Sequence, residues 1–358
     1  MVTHPGFLLA ICLLVMAFVA AIFWMIPEWS RPGIFFAVTV PVGFRNTPEA
    51  RSLVRSYRIH ALTQVAIGFA LIFAALPRHW SLLIVGEIWL AIGPLIAFLR
   101  VRERVMRHAV APVSVREATL APRAAHLPGG WILQIGPFVL MLATALYLYL
   151  RWDQIPERFP VHWGIDGQPN GWSVRTPMGV FGPMLIGLGV MAAIAVMTYG
   201  VLHHARVIRV PGSSSTKYDF AHRIGLMLVA VGYFIAVMFS LAGLLPFMGN
   251  PGPVPVLIVT IVMLATIFPL AAWVNQGRAH PVTTHAPGAP LGDGTRDQDW
   301  KWGMFYYNPD DAALFVEARF GVGYTINFGH TSAWIIMAGV FALILVPLGI
   351  ALTALSHH

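Results

Sequence analysis

Eight long apolar runs set the pattern of this chain, and polar connectors separate them. They cover roughly residues 6 to 26, 59 to 76, 82 to 99, 131 to 150, 177 to 200, 222 to 245, 254 to 273 and 333 to 352. Each is about 18 to 24 residues, the length at which a helix rising 1.5 Å per residue crosses an apolar layer about 30 Å thick. The pattern predicts an all-α polytopic membrane protein of about eight transmembrane helices. Pro94, Pro137, Pro183 and Pro269 lie inside the runs, and membrane helices tolerate them where neighbours resatisfy the backbone. The connectors at 77 to 81 and 246 to 253 are short enough to make helices two and three, and six and seven, antiparallel neighbours. The first run lacks a basic flank and an evident small-residue cleavage site, so it reads as a retained helix.

Composition agrees with a membrane solvent: 57% of residues are hydrophobic and 11% charged, against about one quarter charged in soluble domains. The charge distribution adds an orientation. Of the 23 Lys and Arg residues, 19 fall in the first, third, fifth and seventh loops, leaving Arg78, Arg151, Arg158 and Arg175 for the other side. Cytoplasmic loops are enriched in Lys and Arg, so the odd loops are expected in the cytoplasm and both termini outside it, in a bacterial inner or plasma membrane. The net charge of +8 is carried by juxtamembrane clusters such as Arg100, Arg102, Arg104 and Arg107. Membrane lipids are their expected partner, and nucleic acid is not. The one cysteine, Cys12, lies in the first apolar run and reads as a small packing residue with no disulfide role.

Six segments follow: 1–130, three helices with cytoplasmic loops; 131–200, helices four and five around an exported loop at 151–176; 201–273, helices six and seven; 274–299, a flexible Gly/Pro/Thr/His-rich linker; 300–330, a strand-rich cytoplasmic motif; and 331–358, helix eight. The linker ends in the acidic group Asp293, Asp297 and Asp299. Gly33 to Phe44, Trp302 to Tyr307 and Gly323 to Phe328 are rich in β-branched and aromatic residues, which predicts a small cytoplasmic β element joining loops one and seven. The alternative is that these stretches lie flat on the membrane surface. Asn308-Pro309-Asp310-Asp311 opens a turn that is expected to cap a short helix through Ala312 to Phe315.

The densest polar group outside the helices is the fourth loop, Ile155 to Ser173, with Glu157, His162, Asp166, Gln168 and Asn170 between Trp163 and Trp172. Its prolines and glycines predict a defined shape without regular structure. His162 with Asp166 offers two ligands where structural zinc needs four, and no HExxH or CxxC spacing occurs, so no metal site is assigned. Glu87 is the acidic residue placed well inside an apolar run. An unpaired carboxylate there is costly, so Glu87 is expected to face the bundle interior near the exported surface. Glu87, Glu157, His162, Asp166, Asn170 and Trp172 are therefore binding candidates.

Two stretches resemble known families. The span Gly136 to Gly200, marked by Pro156, Pro160, His162, Gly167 and Trp172, resembles the bacterial domain-of-unknown-function family 1648, which includes the membrane immunity protein SdpI. Residues 300 to 328 resemble the domain-of-unknown-function family 5808 through Trp300-Lys301, Tyr307 to Asp311, Arg319-Gly321-Gly323 and Asn327-Phe328. The resemblance implies a bacterial integral membrane protein carrying both domains and distantly similar to SdpI, with a sensor, signalling or immunity-like role. An exported peptide or envelope component and a cytoplasmic regulatory protein are the implied partners. Lys301, Asn308, Asp310, Asp311, Arg319 and Asn327 are the cytoplasmic surface candidates. Two other roles stay open: a small-molecule or ion transporter, which requires a central cavity reaching Glu87, and a membrane enzyme, which requires His162, Asp166 and Glu87 or Glu157 to converge. No catalytic residue and no cofactor is assigned.

Overall fold

Long apolar segments satisfy their own backbone groups best as helices, and the computed structural model forms eight of them among the described residues. Those residues are 5–31, 33–41, 43–75, 80–112, 127–163, 168–205, 217–249, 254–276 and 292–356. The helices are α1 (Pro5–Met25), α2 (Pro48–Ala75), α3 (Trp80–Val105), α4 (Gly130–Leu150), α5 (Pro177–His204), α6 (Lys217–Leu244), α7 (Val254–Gln276) and α8 (Thr331–Ser356). Among the described residues, five stretches are long and apolar enough to cross a membrane: Pro48–Ala74, Gly130–Leu150, Pro177–His204, Phe220–Phe247 and Leu257–Gln276. The chain is thus a multi-pass membrane protein. Its outward surface fits an apolar solvent, since α4 exposes Ile132, Val139, Leu142, Leu146 and Leu150, an apolar face larger than soluble proteins leave bare.

Several helices outrun their apolar runs. Helix α2 begins eleven residues before the apolar stretch that starts near 59, because its start is well specified. The Thr47 hydroxyl accepts the Ala50 amide at 3.1 Å, Pro48 occupies the first turn and Glu49 follows it, satisfying the exposed donors and the positive end of the helix dipole. Its first three turns precede the apolar stretch and carry Arg51, Arg55 and Arg58.

The helices pack in two groups. Helix α2 lies between α1 and α3, whereas α6 gathers α4, α5 and α7, with α8 against α5. The short connection between α2 and α3 has its predicted consequence, and the approach is close. A Cβ placed on Gly86 would meet Ile72 Cγ1 at 2.6 Å and the Ile72 amide nitrogen at 3.0 Å. The second group closes on Met141, Leu148, Ile155, Phe159, Val180, Met184, Met191 and Ala236.

Four two-stranded antiparallel sheets complete the fold: β1 (Ile34–Phe35) with β2 (Val38–Thr39), β3 (Arg158–Trp163) with β4 (Pro169–Val174), β5 (Trp300–Lys301) with β6 (Phe305–Tyr306), and β7 (Phe315–Glu317) with β8 (Tyr324–Ile326). Loop one and loop seven meet, but by side chains and not by a shared ladder. Gly33 to Phe44 is a tight hairpin and not one strand, because Phe36 and Ala37 turn the chain with φ of 44° and 59°. Left-handed backbone costs a non-glycine residue about 1–2 kcal/mol. Burial offsets it here: Phe36 is 1% exposed and packs edge-on to Tyr57 with ring centroids 5.1 Å apart.

The described parts of loops one, three, five and seven gather at one end of the molecule. The Val110 amide of loop three donates to the Thr39 carbonyl at 3.0 Å, and Ala205 of loop five bridges Phe315. The β3–β4 hairpin lies at the other end, where Phe247, beyond α6, joins the Phe159 cluster.

Three expectations are corrected. The fourth loop has regular structure, the β3–β4 ladder, although its tip at 164–167 lies outside the described residues. Residues Ala312 to Phe315 do not form a helix: Asp311 Oδ1 accepts the Ala313 amide at 3.2 Å and Asn327 Nδ2 donates to the Ala313 carbonyl at 3.2 Å, which holds the segment extended into β7. The linker ends by residue 292, since Asp293, Thr295 and Asp299 are buried; residues 277–291 lie outside the described residues.

Replacing Gly86 with Leu is expected to cost about 1–3 kcal/mol by overpacking the α2–α3 contact. Thermal unfolding in lipid nanodiscs measures it, with Gly339→Leu, where a Cβ meets nothing within 4 Å, as the neutral comparison.

Candidate functional site

The most highly organised polar cluster sits at the arginine-rich end and centres on Arg319, which follows β7. Its side chain is 1% exposed, and a guanidinium cannot shed its charge, so every donor needs a partner. Arg319 Nε and Nη2 fork onto the Asp293 carboxylate, each at 2.8 Å. Nη2 also reaches the Thr295 carbonyl at 2.7 Å and the Thr39 hydroxyl at 3.2 Å. Nη1 donates to Asp297 and, at 3.1 Å, to the Ala37 carbonyl. The Trp300 ring lies 5.2 Å from the guanidinium carbon. Asp297 completes the joint by accepting the Thr39 amide at 3.1 Å and the Thr39 hydroxyl at 2.8 Å.

The electrostatics follow from this enclosure. Burial pushes the Asp293 carboxyl up, but the Arg319 charge and the hydrogen bonds from Arg319 and Thr295 outweigh it and bring the group down to about 2. Burial likewise works against the Arg319 charge, and Asp293 and Asp297 reverse it, leaving Arg319 raised above its ordinary value. A second buried pair, Arg31 Nη1 to Glu317 Oε2 at 2.8 Å, ties the start of loop one to β7. Beside them Phe98 of α3 meets Phe320 edge-on, ring centroids 4.6 Å apart.

The cassette at 292–328 also grips the other helix group. Phe315, 1% exposed, lies in a cluster with Val201, Ala205, Phe220, Ile224 and Val274. A Cβ on Gly200 of α5 would come within 2.7 Å of the Phe315 ring, so only glycine permits this contact. The cassette therefore clasps α1–α3 through loop one and α5–α7 through β7.

Asn308, Arg319 and Asn327, expected at the cytoplasmic surface, are buried at 8%, 3% and 0% exposure. Their work is internal. Asn327 Oδ1 accepts the Asn308 amide at 3.0 Å while its Nδ2 donates to the Asn308 carbonyl at 2.8 Å, and Asn308 Nδ2 reaches Asp299 at 3.1 Å. Asp311 is half-buried and accepts the Tyr306 hydroxyl at 2.8 Å. Lys301 and Asp310 are exposed.

At the opposite end the hairpin pairs His162 with Gly171 and Pro160 with Trp172, with register shifts around His162. Trp172 is 45% exposed beneath the Arg158 guanidinium at 5.0 Å. Glu157 is exposed, and its carbonyl accepts the Arg175 amide at 2.9 Å. Asp166 and the side chains of His162 and Asn170 lie outside the described residues. Glu87 does not face the bundle interior: Gly86 takes the contact with α2, and Glu87, one residue round the helix, is exposed beside Val85 and Ile88. It makes no hydrogen bond or ion pair among the described residues, so the structure does not join it to the hairpin. Among the described residues no three His, Cys, Asp or Glu converge as metal ligands.

Sequence reasoning missed Arg31, Thr39, Thr295 and the acidic partners of Arg319. The available signal was Asp293, Asp297 and Asp299 grouped in a chain with 15 acidic residues in all.

Two family descriptions match parts of the chain. Residues 139–188, from α4 through the hairpin into α5, match the Domain of unknown function (DUF1648), and residues 309–334, from the end of β6 to the start of α8, match the Family of unknown function (DUF5808). The chain thus combines both domains, one at each end of the molecule. No curated protein and no solved structure matches it.

Removing Arg319 as Arg319→Met leaves Asp293 and Asp297 without their cation and is expected to destabilise the cassette by about 3–5 kcal/mol, read as faster amide exchange over Trp300 to Ile326. Acid has a related effect. Because Asp293 is held at about 2 against an ordinary 3.8, its contribution is present above about pH 4 and is lost as the pH falls toward 2, on the order of 2 kcal/mol. Fluorine NMR of a fluorotryptophan-labelled chain, with Trp300 assigned by Trp300→Phe, should report a transition in that window; an unchanged resonance down to pH 2 would refute it.

Proposed function

We propose that this chain is a two-ended envelope sensor of the immunity-like kind, in which the β3–β4 hairpin meets an exported peptide or envelope component and the cassette presents the outcome to a cytoplasmic regulatory protein. In this reading all eight helices span a bacterial plasma membrane, the arginine-rich end faces the cytoplasm and both termini lie outside. Three helices fall outside the five stretches apolar enough to cross by composition, and the proposal assigns them spans from their packing with α2 and α5.

The observation that carries the reading is the continuity of α5. At its start Ser173 of β4 donates to the Gly179 carbonyl at 3.3 Å and the Thr176 hydroxyl accepts the Gly179 amide at 3.0 Å, which fastens the helix to the hairpin. At its far end Gly200 lies against Phe315 of the cassette. In this reading a displacement of the hairpin passes to β7 along α5, which stays one helix through Pro183. A sensor needs a mechanical link between its sites. The cavity between α4, α5 and α6, beside Gln134, Met191 and Gly232, measures about 20 Å³, room for about one water, so the bundle is closely packed beside this part of α5.

Bacteria expressing the wild type, Trp172→Ala or Gly200→Leu, at equal membrane abundance, provide the test. Challenge with secreted antimicrobial peptides should reduce survival of both variants relative to wild type; indistinguishable survival sinks the sensor reading. Hydrogen exchange of the purified full chain in nanodiscs separates the link from the phenotype. Gly200→Leu should speed exchange in Phe315 to Ile326 and also alter it in Arg158 to Val174, while a change confined to the cassette end would refute transmission through α5.

A further inference from the structure

Loop one and the start of α2 enclose a groove of about 570 Å³, lined by Trp24, Pro27, Glu28, Phe35, Arg45, Arg51, Val54, Arg55, Arg58, Ile59 and Leu62. Four guanidinium groups face one carboxylate across it. Glu28 is committed to Arg58 at 3.0 Å, and Arg58 is further fixed over the Trp24 ring at 4.2 Å. Arg51 and Arg55 are exposed and form no ion pair among the described residues. Arg45 is anchored by Nη2 to the Ser30 and Ile34 carbonyls at 3.1 and 2.8 Å, and its Nε is buried with no hydrogen-bond partner. Burial also lowers its pKa, against the opposing pull of Glu28, so an anion nearby would stabilise its charge.

The order of the lining residues carries the argument. Along one face of α2 the sequence reads Arg51, Arg55, Arg58, then Ile59 and Leu62, so charge gives way to apolar surface over about 16 Å of helix. Trp24, half-exposed at the end of α1, stands at the changeover, the depth at which tryptophan partitions in a bilayer. An arginine fork complements phosphate oxygens, and the apolar floor complements the upper part of an acyl chain. A soluble phosphate or an acidic peptide has no use for that floor.

We propose that this groove is a binding site for an anionic phospholipid of the leaflet facing the arginine-rich end, with the phosphate between Arg45, Arg51 and Arg55 and an acyl chain along Ile59 and Leu62. The assignment rests on the membrane placement given above. It also connects the site to the clasp: Phe35, in the groove wall, belongs to the hairpin whose Ala37 carbonyl binds Arg319, so an occupied groove braces loop one where the cassette holds it.

Native mass spectrometry of the full chain released from nanodiscs of phosphatidylcholine with phosphatidylglycerol tests the proposal. The wild type should retain phosphatidylglycerol in preference to phosphatidylcholine. Arg51→Gln and Arg55→Gln, alterations of exposed side chains without ion pairs, should each weaken retention about fivefold and together about 30-fold, at about 1 kcal/mol per basic residue. The comparison is Arg104→Gln with Arg107→Gln, exposed arginines of the same end outside the groove. An equal loss in that pair assigns the effect to diffuse surface charge and overturns the site. Displacement of the lipid by millimolar glycerol phosphate would overturn the lipid assignment in favour of a free phosphate. Equal retention of both lipids refutes the groove alone, whereas retention of neither counts against the membrane placement itself.

Discussion

A buried guanidinium has no neutral state to retreat to, and the fold at the arginine-rich end is arranged around that constraint at Arg319. The joint draws on three separated stretches: Ala37 and Thr39 from loop one, Asp293 to Asp297 after α7, and Arg319 itself after β7. Taking this charge from water is repaid only when the donors are met together. The stretches must therefore assemble jointly, and a partly formed cassette would leave a carboxylate or a guanidinium stranded. A lysine would offer charge without the fork that grips Asp293 and without reach to both Asp297 and Thr295.

The same joint explains why an otherwise unfavourable turn survives. Phe36 and Ala37 hold left-handed backbone that glycine would adopt more cheaply. Their conformation points the Ala37 carbonyl at Arg319 and buries the Phe36 ring against Tyr57 and Phe98. Strain is confined to the residues through which α1–α3 meet the cassette. On the far side Phe315 against Gly200 joins the cassette to α5. The two helix groups, each packed chiefly within itself, are thus connected through a small polar module held together by Arg319 with its partners and by the buried Arg31–Glu317 pair.

The sequence by itself determined where the eight long helices fall, five of them apolar enough to cross a membrane. Helix length against bilayer thickness and the uneven distribution of Lys and Arg are local quantities, legible without a fold. It also marked the hairpin of loop four and the 300–328 motif as organised, since Pro, Gly and aromatic spacing is likewise local. The roles of individual residues were not legible. Asn308, Asn327 and Arg319 read as surface because polar side chains are usually exposed; their burial depends on partners 19 to 282 residues away. Glu87 read as interior because a charge in an apolar run is costly, yet the contact face of α3 is set by Gly86 against Ile72, and that choice belongs to helix packing. Asp293 and Asp297 read as the end of a linker until Arg319 met them. Only the tertiary structure decided these matters, because a buried charge is specified by the complete set of groups that surround it, and those groups are brought together by the fold and not by the chain.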